Sequence, residues 1–176
     1  MKQYNIAVLG ATGAVGREML KVLEEYKIPV GTLRPLASAR SAGSTVPFCG
    51  KEVVVEEARE DSFDGMDFVL GAVSSGMSRK FRPAIEKSGA VYIDNSSAFR
   101  LEDGIPLVVP EINGADALQN HGIVANPNCS TIITLMAVAA LNQLSPIESM
   151  VACTYQAVSG AGQPGLEELE DQMKAL

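Results

Sequence analysis

Short runs of aliphatic and β-branched residues alternate along the chain with segments whose apolar positions recur every three to four residues. Residues 4–9 predict a buried first strand, and after a glycine cluster Val15, Met19, Val22, Leu23 and Tyr26 fall on one face of a helix. Residues 32–37, 51–55, 68–72, 91–94 and 123–126 predict further strands. A helix over 77–87 separates two of them, stopped by Ser88-Gly89. This alternation predicts βαβ units and an α/β fold with a mainly parallel sheet. Beyond Asn128 the pattern changes. Residues 129–144 are apolar nearly all round, which predicts a buried helix ended by Ser145-Pro146. A strand over 147–158, a glycine-rich loop over 159–165 and the start of a helix over 166–176 follow. The expected organisation is therefore a nucleotide-binding domain over 1–128 and the incomplete start of a second domain over 129–176.

Composition narrows the classes of function. The 176 residues are 47% hydrophobic and 20% charged, as in an ordinary globular chain that can bury a core. A net charge of −7 with scattered Lys and Arg argues against nucleic acid as a partner. The longest apolar stretch, 132–141, is shorter than the roughly 18 residues of a membrane span, so no membrane partner is expected. The apolar start Ile6-Ala7-Val8-Leu9 is too short for a signal peptide. Three widely spaced cysteines without a CxxC suggest neither a disulfide framework nor a metal site, and fit a reducing cytoplasm.

The first chemical signal is Gly10-Ala11-Thr12-Gly13-Ala14-Val15-Gly16, between the first strand and the first helix. Glycines permit a tight turn and close backbone approach to a pyrophosphate, and the helix start adds free N–H groups and the positive end of its dipole. The strand–turn–helix setting is the one a dinucleotide site requires. A Walker loop is excluded, because no Gly-Lys-Ser/Thr follows. An NAD site ordinarily presents Asp or Glu about 20 residues further on, to bond the ribose 2′-hydroxyl. Here the chain reads Ser38-Ala39-Arg40-Ser41-Ala42-Gly43. Hydroxyls and a guanidinium would bind a 2′-phosphate that a carboxylate would repel, so the expected cofactor is NADP, held also by Ser38, Arg40 and Ser41.

The second signal is Cys129 in Asn126-Pro127-Asn128-Cys129-Ser130-Thr131, at the start of the apolar helix. A helix amino terminus favours a thiolate and offers N–H groups to an oxyanion. Free cysteines are also common as buried filler. Position alone leaves both readings of Cys129 open, whereas Cys49 in a hairpin region and Cys153 in an apolar strand suit filler.

Gly10–Gly16, Ser38–Gly43, Asp94-Asn95-Ser96-Ser97-Ala98-Phe99-Arg100, Asn126–Thr131 and Tyr155-Gln156-Ala157-Val158-Ser159-Gly160-Ala161-Gly162 together resemble the successive motifs of aspartate-β-semialdehyde dehydrogenases, in order over essentially the whole chain. N-acetyl-glutamyl-phosphate reductases carry a similar turn, but usually with Gly before the cysteine and Tyr after it, where this chain has Asn128 and Ser130. The resemblance implies a Rossmann-like domain followed by the start of an α+β catalytic and dimerisation domain. It implies NADPH-dependent reduction of aspartyl phosphate to aspartate semialdehyde, on the diaminopimelate–lysine, methionine and threonine routes. Cys129 would displace phosphate to form a thioester, Gln156 would orient the acyl group and Arg100 would bind the phosphate. Ser159 and Gly160 would lie near the nicotinamide, with Thr12, Ala14 and Val15 in the cofactor turn. The full-length family enzyme would be a homodimer.

The family's acid/base histidine and its substrate-carboxylate arginine have no counterpart in this chain. Its one histidine, His121, falls in a polar turn and reads as a solvated surface residue. The 176-residue chain is therefore expected to bind NADP and to be inactive alone. Against the enzyme stands another class, a non-catalytic NADP-binding or redox-sensing module. It would keep cofactor affinity without acyl chemistry at Cys129. A short-chain dehydrogenase needs Tyr-x-x-x-Lys, and neither Tyr92 nor Tyr155 has it.

Overall fold

A computed structural model describes residues 2–175, except for the side chain of Gln163. Its chain divides into two compact units, Met1–Asn128 and Cys129–Leu176.

The first unit opens with β1 (Tyr4–Leu9), whose last four residues are all buried. Next come α1 (Ala14–Glu25) and β2 (Val30–Ala37), then β3 (Thr45–Phe48) and β4 (Lys51–Val54), which pair as an antiparallel hairpin. A two-residue β5 (Glu56–Glu57), β6 (Phe68–Gly71), α2 (Ser75–Ser88) and β7 (Val91–Asp94) follow, then a one-turn α3 (Pro110–Asn113) and β8 (Ile123–Ala125). Six strands form one sheet in the order β5-β2-β1-β6-β7-β8, with every neighbouring pair parallel. The Rossmann-like α/β expectation holds. Because the chain leaves β1 toward β2 on one side and returns to β6 on the other, the order reverses at β1. In open α/β sheets the crevice at such a reversal is where ligands bind.

One core lies under α2, with Leu9, Val69, Phe81, Ile85, Tyr92 and Phe99 buried together; the other lies under α1, around Val8, Leu20, Leu23, Val46 and Val55. The inward face of α1 differs from the expected one. Gly16, Leu20 and Leu23 are buried, while Val15, Val22 and Tyr26 are exposed at 48%, 41% and 76%. Gly16 sets this rotation: a β-carbon there would stand 2.2 Å from the Gly10 carbonyl oxygen, so only glycine lets the helix press this face onto the turn. α2 begins at Ser75, two residues before the expected start, and ends on Gly89 at φ 78°.

In the second unit, α4 (Cys129–Leu144) ends before Ser145-Pro146, as expected, and α5 (Gln163–Lys174) follows a 3-10 turn over Val158–Ala161. Three expectations fail here. None of α4's residues is buried, and Ile133, Leu141 and Leu144 are exposed at 73%, 58% and 86%. Apolar positions all round a helix state what it could bury, but burial needs partners, and the described residues of this unit provide few. The strand expected over 147–158 is absent, since that stretch pairs with no other. The last helix starts at Gln163 rather than 166, because Pro164 suits a first helical turn; the expected end at Leu176 lies outside the described residues.

Cys49 and Cys153 are not core filler. Both are exposed. Cys49 occupies the β3–β4 turn with φ 49°, followed by Gly50 at φ 72°, the geometry of a two-residue hairpin turn, and Cys153 lies in the unpaired 147–157 segment.

Candidate active site

The glycine turn and the ends of β2 and β6 enclose a cleft of about 500 Å³ in the first unit. Gly10, Thr12, Gly13 and Ser38 line it, as do Ala72 and Val73 from the end of β6 and Met77, Lys80 and Phe81 from α2. Gly10 has φ 91°, and a β-carbon there would meet the Ala72 carbonyl oxygen at 2.4 Å, so the turn and the end of β6 touch through bare backbone. Its N–H and that of Ala11 both donate to the Leu36 carbonyl, at 2.8 and 3.0 Å, tying the turn to β2.

Gly13 is the N-cap of α1 and provides no side-chain cap. The first helical N–H groups, at Ala14 and Val15, stand at an exposed helix start, which suits an anion. The residues thus fit a dinucleotide: a positive-φ glycine where side chains would collide, an uncapped helix start and a cleft at the strand-order reversal. Gly16 plays the packing role described above.

Beyond β2, residues 38–44 fold into a tight turn. Ser41 N–H donates to the Ser38 carbonyl at 2.9 Å, and the Ser44 hydroxyl to the Ser41 carbonyl at 2.6 Å. Ser38 lines the cleft, Arg40 is exposed on the same turn, and Ser41 is half-buried.

At the other end of the sheet, Asp94 is fully buried and accepts hydrogen bonds from Ser78 and Ser96, each 2.7 Å long. Ser78 in turn accepts from the Tyr92 hydroxyl at 3.0 Å. Burial pushes the Tyr92 phenol well above its ordinary range; the charge of Asp94 adds to this, and the bond to Ser78 opposes it. Sequence reasoning missed Ser78 and Tyr92, whose partners lie on separate elements.

Asp94 and Ser96 fix the loop that carries Arg100. The guanidinium of Arg100 donates from Nε to the Asn126 carbonyl at 2.9 Å and from Nη2 to the Asn95 carbonyl at 3.1 Å. Asn126 Nδ2 also donates to Asn95 Oδ1. Arg100 is therefore held on backbone carbonyls of two loops rather than in a surface ion pair. His121 is exposed.

In the second unit, Cys129 is the first residue of α4 and is exposed. Gln156 Nε2 donates to its Sγ at 3.6 Å, while Gln156 Oε1 accepts from the Ser130 hydroxyl at 3.2 Å. The Ser130 bond orients the amide so that its N–H face meets the sulfur. Gly160 makes room for it: a β-carbon there would lie 1.9 Å from Gln156 Nε2. Ser159 stands beside it in the 3-10 turn, its carbonyl accepting from Gly162 N–H at 3.0 Å. Ser130 was not anticipated as a site residue, and only its position next to the cysteine hinted at it.

Among the described residues no helix is long and apolar enough to cross a membrane, and no group of His, Cys, Asp and Glu could hold a metal ion.

Known proteins agree with this architecture. An aspartate-semialdehyde dehydrogenase of Bacillus subtilis is 45% identical over 172 residues, spanning 98% of this chain and 50% of its own length. One from Synechocystis is 47% identical over 172 residues, spanning 97% and 51%. The crystal structure of aspartate semialdehyde dehydrogenase II from Vibrio cholerae, complexed with ASA, superposes with a TM-score of 0.93 at 44% identity, over 98% of this chain and 52% of that one. The chain thus spans about half the length of the curated relatives it matches. The profile of the semialdehyde dehydrogenase NAD-binding domain matches residues 5–121, and with a parallel sheet, a glycine turn and a cleft of the kind that domain requires, the chain belongs to the semialdehyde dehydrogenase family.

Proposed function

We propose that this chain holds the cofactor cleft and the nucleophile of an NADPH-dependent aspartate-semialdehyde dehydrogenase, a cytoplasmic enzyme, homodimeric at full length, that serves lysine, methionine and threonine synthesis. The observation that supports this best is the exposed sulfur of Cys129, at the first position of a helix and met by the amide of Gln156 at 3.6 Å. A thiol so presented can attack an activated acyl carbon.

With aspartyl phosphate, the Cys129 sulfur forms a bond to the acyl carbon and gives up its proton, while the carbon–oxygen bond to phosphate breaks and phosphate leaves with the electron pair, taking up the proton released. The product is a thioester on Cys129. Gln156, steadied by Ser130, holds the reacting group through its N–H. Arg100 provides the charge that receives the phosphate, a task suited to a fixed guanidinium. When bound, the dinucleotide supplies the hydride that releases the aldehyde. Gly10 to Gly16 would hold its pyrophosphate, and Ser38, Arg40 and Ser41 its 2′-phosphate. Ser159 and Gly160 would serve its nicotinamide end, as the family resemblance implies.

The chain alone binds NADPH but turns over slowly or not at all, because its one histidine stands on an exposed turn. Intact-mass analysis after mixing with aspartyl phosphate tests the reading. An aspartyl adduct that maps to Cys129 and disappears in Cys129→Ala is expected. NADPH binding without any adduct would favour a redox-sensing module instead.

A further inference from the structure

Glu57 ends β5, which runs parallel beside β2 with Glu57 paired to Ala37, the residue before Ser38. It is the only carboxylate among the described residues lining the cleft, where it stands with Ala39, Ala58, Met77 and Phe81. Its position is fixed by several bonds. The Ser62 hydroxyl donates to its carbonyl at 3.3 Å and accepts from Arg59 N–H at 2.9 Å, while Ala58 N–H donates to the Ala37 carbonyl at 2.8 Å. The Arg59 guanidinium donates to the carboxylate from Nε at 3.0 Å and from Nη2 at 2.7 Å, both times to Oε2. Oε1 accepts no bond from the described residues.

A half-buried carboxylate with its charge balanced and one oxygen to spare is an acceptor waiting for a neutral donor. The sheet order says which donor. On the dinucleotide reading the pyrophosphate would sit at the glycine turn after β1 and the 2′-phosphate at Ser38 after β2, while Glu57 lies one strand further out. A 2′-phosphate would be repelled by this carboxylate. On the side of the 2′-phosphate the remaining group with a neutral donor and flat apolar faces is the adenine base, and apolar Ala39, Ala58, Met77 and Phe81 suit those faces. Resting on the dinucleotide reading above, we propose that Glu57 selects adenine, with Oε1 accepting from the exocyclic amino group.

The test compares the binding of NADPH with that of its hypoxanthine analogue, in which that donating amino group is replaced by an accepting carbonyl. Fluorescence titration of the unsubstituted chain should show NADPH bound about tenfold more tightly, the effect of one hydrogen bond to a charged group. Glu57→Ala should bring the ratio close to one, and Glu57→Gln, whose amide can donate as well as accept, should do the same while keeping the side chain's volume. Arg40→Ala should weaken both nucleotides and leave the ratio unchanged. A ratio that stays near ten in both Glu57 variants, or that is one in the parent, would overturn the proposal, as would a Glu57→Ala effect confined to NADH, which would assign the carboxylate to a ribose hydroxyl. Failure of the parent to bind either nucleotide would be a different result, removing the dinucleotide reading itself.

Discussion

The amide of Gln156 occupies the space that a side chain at Gly160 would need, with only 1.9 Å between Nε2 and the place of a β-carbon. Gly160 does not have a positive φ, so alanine is compatible with its backbone, and the effect of adding a methyl group there falls on Gln156. Gly160→Ala should displace the amide from the Cys129 sulfur and slow acylation by aspartyl phosphate about tenfold or more. It should barely move the unfolding midpoint. Gln156→Ala should slow the reaction similarly, and the double variant should be no slower than either single one, because both act on one contact. Single-turnover phosphate release measures all three; additive losses would separate Gly160 from Gln156.

Gly10 and Gly16 make a different prediction, about stability. A β-carbon at Gly10 would strike the Ala72 backbone at a φ of 91°, and one at Gly16 would strike the Gly10 carbonyl at 2.2 Å. Backbone cannot step aside as a side chain can. Gly10→Ala and Gly16→Ala should each lose about 2–3 kcal/mol of unfolding free energy. Gly13→Ala, whose nearest neighbour would be at 3.4 Å, should lose much less. Urea titration followed by circular dichroism provides the comparison.

The preference for NADPH over NADH should rest on the exposed turn after β2. Arg40→Ala should weaken NADPH binding about tenfold to a hundredfold and leave NADH nearly unchanged, since only the former carries a group for the guanidinium. The loss should shrink at high salt, because Arg40 is exposed and its charge is screened. Equal losses for both nucleotides would show that Arg40 holds the turn rather than the phosphate.

Much of this was legible from residue pattern, for physical reasons that also mark its limits. The strands of the parallel sheet are buried and therefore read as unbroken apolar runs, as at Ile6 to Leu9, and the glycine turn is legible because Gly10 and Gly16 stand where a β-carbon would strike backbone. Hydrophobic pattern alone misplaces the inward face of α1, because Gly16 contributes no hydrophobicity, yet its closeness to Gly10 decides which side faces in. The apolar stretch 147–158 looked like a strand, but strand formation needs a partner that pattern cannot supply. Cys129 was visible as a candidate. The bonds of Gln156 to Cys129 and to Ser130 depend on a loop returning from 27 and 26 residues away. The Tyr92–Ser78–Asp94 chain was invisible for the same reason.

That buried chain carries the last prediction. Tyr92 is held protonated by burial and its hydroxyl donates to Ser78, so the folded protein binds the phenolic proton more tightly than the unfolded one does. The stability this provides is fully present below the ordinary phenol range near pH 10 and is lost as pH rises above it. Tyr92→Phe removes the titrating group and one hydrogen bond, costing about 1 kcal/mol near neutrality. Above pH 10 its stability should decline less steeply than the parent's, so the two curves should converge. Asp94→Asn should not reproduce this, because the phenol and its burial remain, although it weakens the acceptor that Ser78 and Ser96 share. Chemical denaturation from pH 7 to 11 on all three proteins decides the matter: parallel alkaline slopes for the parent and Tyr92→Phe would mean that Tyr92 does not govern the loss.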